Sequence, residues 1–335
     1  MLNEAERKRQ LALEAAEGRL VTWRPADVRW LLCGRGRPIS APASPYVVVL
    51  EQDRAQVWYQ NNERSRIEAE ERWEELGYEP VAYPWFESHG LEQTPSVLDT
   101  LRLELVEGER ERYRAAGAAA AAAMTDAIGA VRPEASELDV AGELAGRLYR
   151  DGFTTPVVLV GGERRQPVHR HPLPTDAPIG RHALLAVTAE RDGLYVSMTR
   201  LVCFGEIPEQ LAERSQAVAE IDARMLQGSR PGASLGDVIA EAQRAYAEHG
   251  FPEEWRLHHQ GGLTGYKGRE VFGVPDEPTS IPRSAAVAWN PSLTGGAKSE
   301  DTALVTDDGV EIVTRTPQLP ELETGGLTRP GITLV

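Results

Sequence analysis

Sulfur is scarce in this sequence: its 335 residues include two cysteines and four methionines. Cys33 and Cys203 form one bridge at most, which excludes a disulfide-stapled scaffold. Positive charge is also in deficit. There are 36 Lys and Arg against 51 Asp and Glu, a formal net charge of −15. General nucleic-acid binding needs the opposite balance, although a local basic pocket remains compatible with it. No apolar run approaches a membrane span, and residues 1–10 are dense in charge with no apolar signal core. The expected compartment is the cytoplasm, with neither membrane nor nucleic acid as partner. What is present is ordinary for a soluble globular protein: 41% hydrophobic and 26% charged residues. The length favours one large domain plus a smaller one.

The first hundred residues alternate helix-like and strand-like patterns. Residues 4–16 read as a charged amphipathic helix, 20–23 as a short strand, and Pro25 as a helix start with Val28, Leu31 and Leu32 on one face. Residues 46–50 and 56–59 read as strands joined by a hairpin, 62–76 as a charged helix, and 81–86 as a further strand. A boundary falls near 107–111, with no Gly/Ser-rich or Pro-rich linker. Residues 115–123 are Ala-rich, a helix former for tight packing. From 316 onward, Pro317, Pro320, Gly325, Gly326 and Pro330 read as an extended tail.

The second part contains a repeat. Arg132-Pro133 and Arg230-Pro231 are 98 residues apart, as are Gly152-Phe153 and Gly250-Phe251, so no gap is needed. In both copies a helix precedes the Arg-Pro turn and another follows it, with Ser136 or Ser234 as its N-cap. Strand material comes next. Two long copies point to a duplicated α+β half rather than a solenoid.

Motifs in this half occur in a recognisable order. They are His171-Pro-Leu-Pro-Thr175, Asp192-Gly-Leu-Tyr-Val-Ser-Met-Thr-Arg200, His258-His-Gln-Gly-Gly-Leu-Thr-Gly265, Trp289-Asn-Pro291 and Lys298-Ser-Glu-Asp-Thr302. With residues 19–34 as an opening segment, the chain resembles the creatinase / aminopeptidase P / methionine aminopeptidase superfamily. The resemblance implies an α+β fold. A smaller α/β creatinase-type N-terminal domain (1–106) precedes a pita-bread domain of two pseudo-symmetric halves (107–315), and 316–335 follow as the tail. It also implies a homodimer and a small-molecule substrate. Arg35, Arg37 or Trp30 would contribute from the N-terminal side.

Metallopeptidases of that superfamily hold two divalent ions with two Asp, one His and two Glu. Carried over, these positions fall on Ala186, Ser197, Gly262, Asn290 and Glu300. Ala and Gly supply no side-chain ligand, Ser and Asn are neutral, and one carboxylate cannot offset two dications. The sequence therefore predicts loss of the dinuclear centre, with no metal or cofactor. Trp289, beside Asn290, is expected to fill or roof the emptied site. A rebuilt site from His169, His171, His258 and Glu300 is not expected. Pro172 follows His171 at once, and an extended chain sends His258 and His259 to opposite faces.

The resemblance implies a creatinase-like hydrolase of a C–N bond in a small amide, amidine or cyclic amidine. His171 is the proton shuttle, because imidazole titrates near neutrality; His258 and Glu300 complete the catalytic set. Substrate binding is assigned to Arg200, Arg269, Glu270, Asn290, Ser197 and Lys298, the cations holding a carboxylate. The alternatives are a catalytically dead binding or scaffold protein, or a cleft recruited to other chemistry. His182 and His259 read as structural, and Cys203 as core.

Overall fold

The structure, a computed structural model, describes residues 1–39 and 44–335. They form two compact units. The first comprises residues 1–112 with 192–194 and 265–267; the second comprises 113–191, 195–264 and 268–335. No helix among the described residues is long and apolar enough to cross a membrane.

In the first unit, helix α1 (Leu2–Ala15) is followed by strand β1 (Arg19–Thr22), helix α2 (Pro25–Leu31), and strands β2 (Val47–Glu51) and β3 (Arg54–Gln60). A single α-turn, α3 (Arg64–Arg66), and strand β4 (Glu79–Tyr83) complete it. The strands make one sheet in chain order, antiparallel except for the β3/β4 pair. Val21, Val47 and Val49 form a small core under Trp23, Trp58 and Leu91. The buried Lys8 of α1 is neutralised by Glu4 and Glu109, each at 2.7 Å. An unpaired charge there would cost several kcal/mol.

The helix expected over 62–76 is instead broken into short 3₁₀, α and π pieces, with Arg72 in the left-handed region. Two anchors explain the break. The Glu71 carboxylate accepts the Gly36 amide at 2.8 Å, while Trp73 and Leu76 are buried. One regular helix cannot turn residues 71 and 73 inward together.

The second unit shows the repeat. Helices α4 (Glu107–Ala130) and α5 (Glu137–Arg150) lead into β5 (Thr154–Gly162), β6 (His182–Arg191) and β7 (Leu194–Cys203). Helices α6 (Glu209–Gly228) and α7 (Leu235–Glu248) lead into β8 (Gly261–Thr264), β9 (Val271–Phe272) and β10 (Ala285–Trp289). After these come β11 (Ser292–Leu293), β12 (Ala297–Lys298), β13 (Asp301–Thr306) and β14 (Gly309–Ile312). Ser136 and Ser234 each close a capping box, with Asp139 and Asp237. Such caps contribute about 1 kcal/mol each. Ile179 donates its amide to Ala135 and Ile281 to Ala233, both at 2.9 Å, so the copies match beyond their helices. The Ala-rich stretch is tightly packed: a Cβ on Gly117 would lie 2.2 Å from the Val313 carbonyl.

The segment expected as an extended tail forms three short strands. Strands β15 (Glu321–Thr324) and β16 (Leu327–Pro330) form a hairpin through Gly325 and Gly326, both at positive φ. Strand β17 (Ile332–Leu334) pairs in parallel with β7, giving the sheet order β17-β7-β6-β5. The prolines and glycines are turn punctuation between very short strands, which hides the alternation. The other large sheet runs β14-β13-β10-β8-β9.

Candidate active site

A cavity of about 480 Å³ lies wholly within the second unit. Its walls come from both large sheets: Leu159, Ala186 and Thr188 from one, Phe272, Asn290 and Glu300 from or beside the other. Arg269, Lys298 and Glu300 are its three charged lining residues.

Glu300 organises the two cations. One carboxylate oxygen accepts from Arg269 Nη2 at 3.2 Å; the other pairs with Lys298 Nζ at 3.1 Å and accepts from Thr199 Oγ1 at 2.8 Å. Burial pulls the Glu300 carboxyl upward, but Lys298 and Arg269 outweigh it and hold the group below the usual carboxylate range. Arg269 Nη1 donates to the Gly268 carbonyl at 2.6 Å and reaches Ser197 Oγ at 3.4 Å. The guanidinium therefore bridges Ser197 and Glu300. Two cations against one anion leave the cavity net positive, on a chain whose total charge is −15.

Three imidazoles meet at the wall. His171 and His258 share an Nε2···Nε2 hydrogen bond of 2.8 Å. His258 and His259 stack with centroids 4.5 Å apart. The expected divergence of these neighbours does not occur. Gln260 Nε2 donates to the Trp255 and His258 carbonyls at 3.0 and 2.7 Å, and the two rings stack although the His258 backbone is extended. His259, set aside on sequence grounds, lines the cavity with His171, while His258 is buried behind them. Burial, then Lys298, lowers the pKa of His171, with Glu300 opposing. Burial followed by Lys298 takes His258 down to about 2, and burial followed by Arg269 takes His259 to about 4. All three are neutral near pH 7.

The residues present do not fit the superfamily's dinuclear centre. Beyond the missing ligands, Gly262 sits at φ +151 and a Cβ there would lie 2.1 Å from the Val271 carbonyl, so the backbone excludes the histidine itself. The one retained carboxylate is already neutralised by Arg269 and Lys298. The three imidazoles, whose ligand atoms lie within 4.8 Å of one another, have a spacing that could surround one ion. The same two cations oppose it, with a single carboxylate in offset.

Several sequence-predicted residues lie elsewhere. Arg200 does not reach the cavity. Strand alternation on β7 turns it away from Ser197 and Thr199, and its N–H groups are taken by Thr316 Oγ1, Asp301 Oδ1 and the Thr199 and Thr314 carbonyls at 2.7–2.9 Å. Ser197 stands just behind the lining, its Oγ 2.9 Å from Thr188 Oγ1. Glu270 is not part of the lining; its amide pairs with the Leu263 carbonyl. Trp289 does not roof the site: it is fully buried on the other face of β10, donating to Ser229 Oγ at 2.8 Å. His169 lines a separate shallow hollow, and His182 is buried against Gln166. Thr188, Tyr195 and Phe272 line the cavity without having been singled out; no spacing in the sequence marks them.

The comparisons agree with this architecture. Residues 111–307 match the family described as metallopeptidase family M24. An uncharacterised peptidase of Staphylococcus aureus (strain MRSA252) is 28% identical over 123 residues, 35% of this chain and 34% of that protein, so the match spans about a third of such curated relatives. The dipeptidase PepE of Mycobacterium ulcerans superposes with a TM-score of 0.77 at 18% identity, covering 100% of this chain and 99% of that one. The Xaa-Pro dipeptidase of Bacillus anthracis gives 0.75 at 18% identity over the whole of both chains. By its matched region and its pita-bread fold, the chain belongs to metallopeptidase family M24, within the creatinase / aminopeptidase P / methionine aminopeptidase superfamily.

Proposed function

We propose that the cavity hydrolyses a C–N bond in a small carboxylate-bearing amide without the dinuclear centre of the family. The observation that carries this reading is the convergence of Arg269 and Lys298 on Glu300, which puts two fixed cations where carboxylate-held metals have no ligands left. The relatives named dipeptidase and Xaa-Pro dipeptidase carry the same reaction class in their names; the proposal keeps the class and changes the means.

His171 takes a proton from water as the oxygen adds to the amide carbon. It returns the proton to the nitrogen as the C–N bond breaks, leaving a carboxylic acid and an amine. His258, bonded to the His171 ring, fixes its orientation. A protonated His171 keeps that bond by donating to His258 Nε2, so the pair takes up one proton as a unit. Lys298 pairs with Glu300 and has further N–H donors for the developing oxyanion. Arg269 holds the substrate carboxylate. Glu300 positions the two cations and does not act as the base. The assembly proposed is the homodimer that the resemblance implies, and the compartment is the cytoplasm.

The deciding experiment is hydrolysis of N-acyl amino acids by protein whose metal content is measured in parallel. Turnover is expected to persist through exhaustive chelation, with manganese, zinc, cobalt and iron all far below one ion per chain. Activity that disappears on chelation and returns with a single ion would overturn the metal-free reading.

The acid limb of kcat/KM gives a second test. Neutral His171 is the active form, and its pKa lies below the ordinary 6.5. The half-maximal point of the acid limb is expected below pH 6.5. A half-maximal point above 6.5 would remove His171 from the base role.

A further inference from the structure

The cavity reaches the edge strand of each large sheet, β5 in one and β9 in the other. Val157 and Leu159, two apart on β5, share a face and line it, as does Phe272 on β9. Val157 is 39% and Phe272 48% exposed, so both stand at the mouth. Edge strands are ordinarily charged or covered, and bare apolar side chains on two of them around one cavity mark a contact surface. His259 meets Phe272 edge-to-face, with centroids 5.2 Å apart, and continues that surface inward.

Charge lies at the opposite end. The side chains of Arg269, Lys298 and Glu300 are only 5–7% exposed. The cavity therefore has a buried, net cationic floor and an uncharged, apolar mouth. A ligand that matches both ends is amphipathic, with its carboxylate on the floor beside Arg269. The reverse orientation would bury an apolar chain against two cations and leave the carboxylate in the mouth without a partner. With the carboxylate on the floor and the amide beside His171, the group beyond the scissile carbonyl faces the mouth. An acetyl group leaves that apolar rim bare, and a longer acyl chain covers it.

We propose that the cavity selects N-acyl amino acids whose acyl chain is apolar and longer than acetyl, taken up carboxylate first, with Val157 and Phe272 as the acyl-chain contacts. The inference rests on the reading of the cavity as the substrate site and names the part of the substrate that sets its specificity.

Calorimetry on the turnover-deficient His171→Ala protein tests this with N-acetyl-, N-butanoyl- and N-hexanoyl-L-alanine. N-methylhexanamide, which keeps the chain and the amide but has no carboxylate, is the fourth probe. A fully buried methylene is worth about fourfold in affinity, so the hexanoyl compound is expected to bind at least about tenfold more tightly than the acetyl compound, with butanoyl between them. N-methylhexanamide is expected to bind at least about tenfold more weakly than N-hexanoyl-L-alanine. Combining Val157→Ser with Phe272→Ser is expected to bring the hexanoyl-to-acetyl ratio to within about threefold. Equal or weaker binding of the hexanoyl compound overturns the proposal, as does equal binding of N-methylhexanamide, or a ratio that survives in a folded double variant. The series in the native cavity decides by itself if the double variant does not fold. Wild-type protein that binds with this preference and hydrolyses none of the three alanine compounds overturns the hydrolytic reading alone. Hydrolysis of all three with equal kcat/KM overturns the chain-length proposal alone.

Discussion

Replacing His171 with alanine is expected to lower kcat by about 10²- to 10⁴-fold, the usual contribution of a positioned acid–base group, while the protein stays folded. The side chain is exposed and hydrogen-bonds His258, so the cost in stability should be within about 1 kcal/mol. KM should change little, because in the proposed mechanism Arg269, not the imidazole, holds the substrate carboxylate in the ground state. Steady-state kinetics beside a thermal melt separates the two quantities. An alanine variant with full kcat would end the assignment. His258→Ala differs in kind. It removes a ring behind the cavity wall, so its mark is a displaced acid limb together with a smaller loss in kcat. Unchanged pH dependence in that variant would show that the imidazole pair does not titrate as a unit.

The largest effect on stability is expected from Arg329. This side chain is almost completely buried; its Nε donates to Asp222 Oδ2 at 2.9 Å, and Nη2 lies 3.0 Å from Asp301 Oδ2. Burial raises the Asp222 carboxyl, and Arg329 is the chief opposing influence that favours its ionised form. Arg329→Met keeps most of the volume and removes the charge, leaving two buried carboxylates facing a thioether. Removing one member of such a buried pair costs about 3–5 kcal/mol. At roughly 2–4 °C per kcal/mol for a unit of this size, the melt of the second unit should fall by about 6–20 °C. Combining Arg329→Met with Asp222→Asn should recover part of the loss, since the uncompensated charge goes with it. A single variant within about 0.5 kcal/mol of the parent would mean that water or a shifted partner already relieves the pair.

Much of the second unit was legible because its signals are local and repeated. The two Ser-x-x-Asp caps and the offset of 98 residues define paired helices whatever surrounds them, and the ordered motifs locate the strands that carry ligand positions. The expectation that metal ligands are missing rests only on residue chemistry at 186, 197, 262 and 290. Legibility ended where a side chain's direction depends on its neighbours. Arg200 shares a motif with cavity residues, yet strand alternation hands it to Asp301 and Thr316. His258 and His259 look like an alternating pair, yet their rings stack on each other. The helix expected over 62–76 failed similarly: its charge pattern is helical, but Glu71 is drawn to the Gly36 amide, 35 residues away in sequence. Asp301, Thr316 and Gly36 are too distant in sequence for spacing to reveal them as partners.

The approach of β8 to its neighbours bears on what this cavity can become. A Cβ at Gly262 would lie 2.1 Å from the Val271 carbonyl, and one at Gly261 would lie 2.1 Å from that of Ala288. Restoring carboxylates at 186, 197 and 290 by mutation is chemically simple, but placing histidine at 262 requires β8 to separate from β9 first. The separation would break the ladder that holds the strand, before any ion is present to compensate. Stepwise change toward a two-metal centre therefore crosses a poorly folded intermediate, whereas stepwise change around Arg269 and Lys298 does not. New specificities selected on this scaffold should accumulate among the cavity's neutral lining residues, and a histidine at position 262 should be the hardest substitution to accommodate.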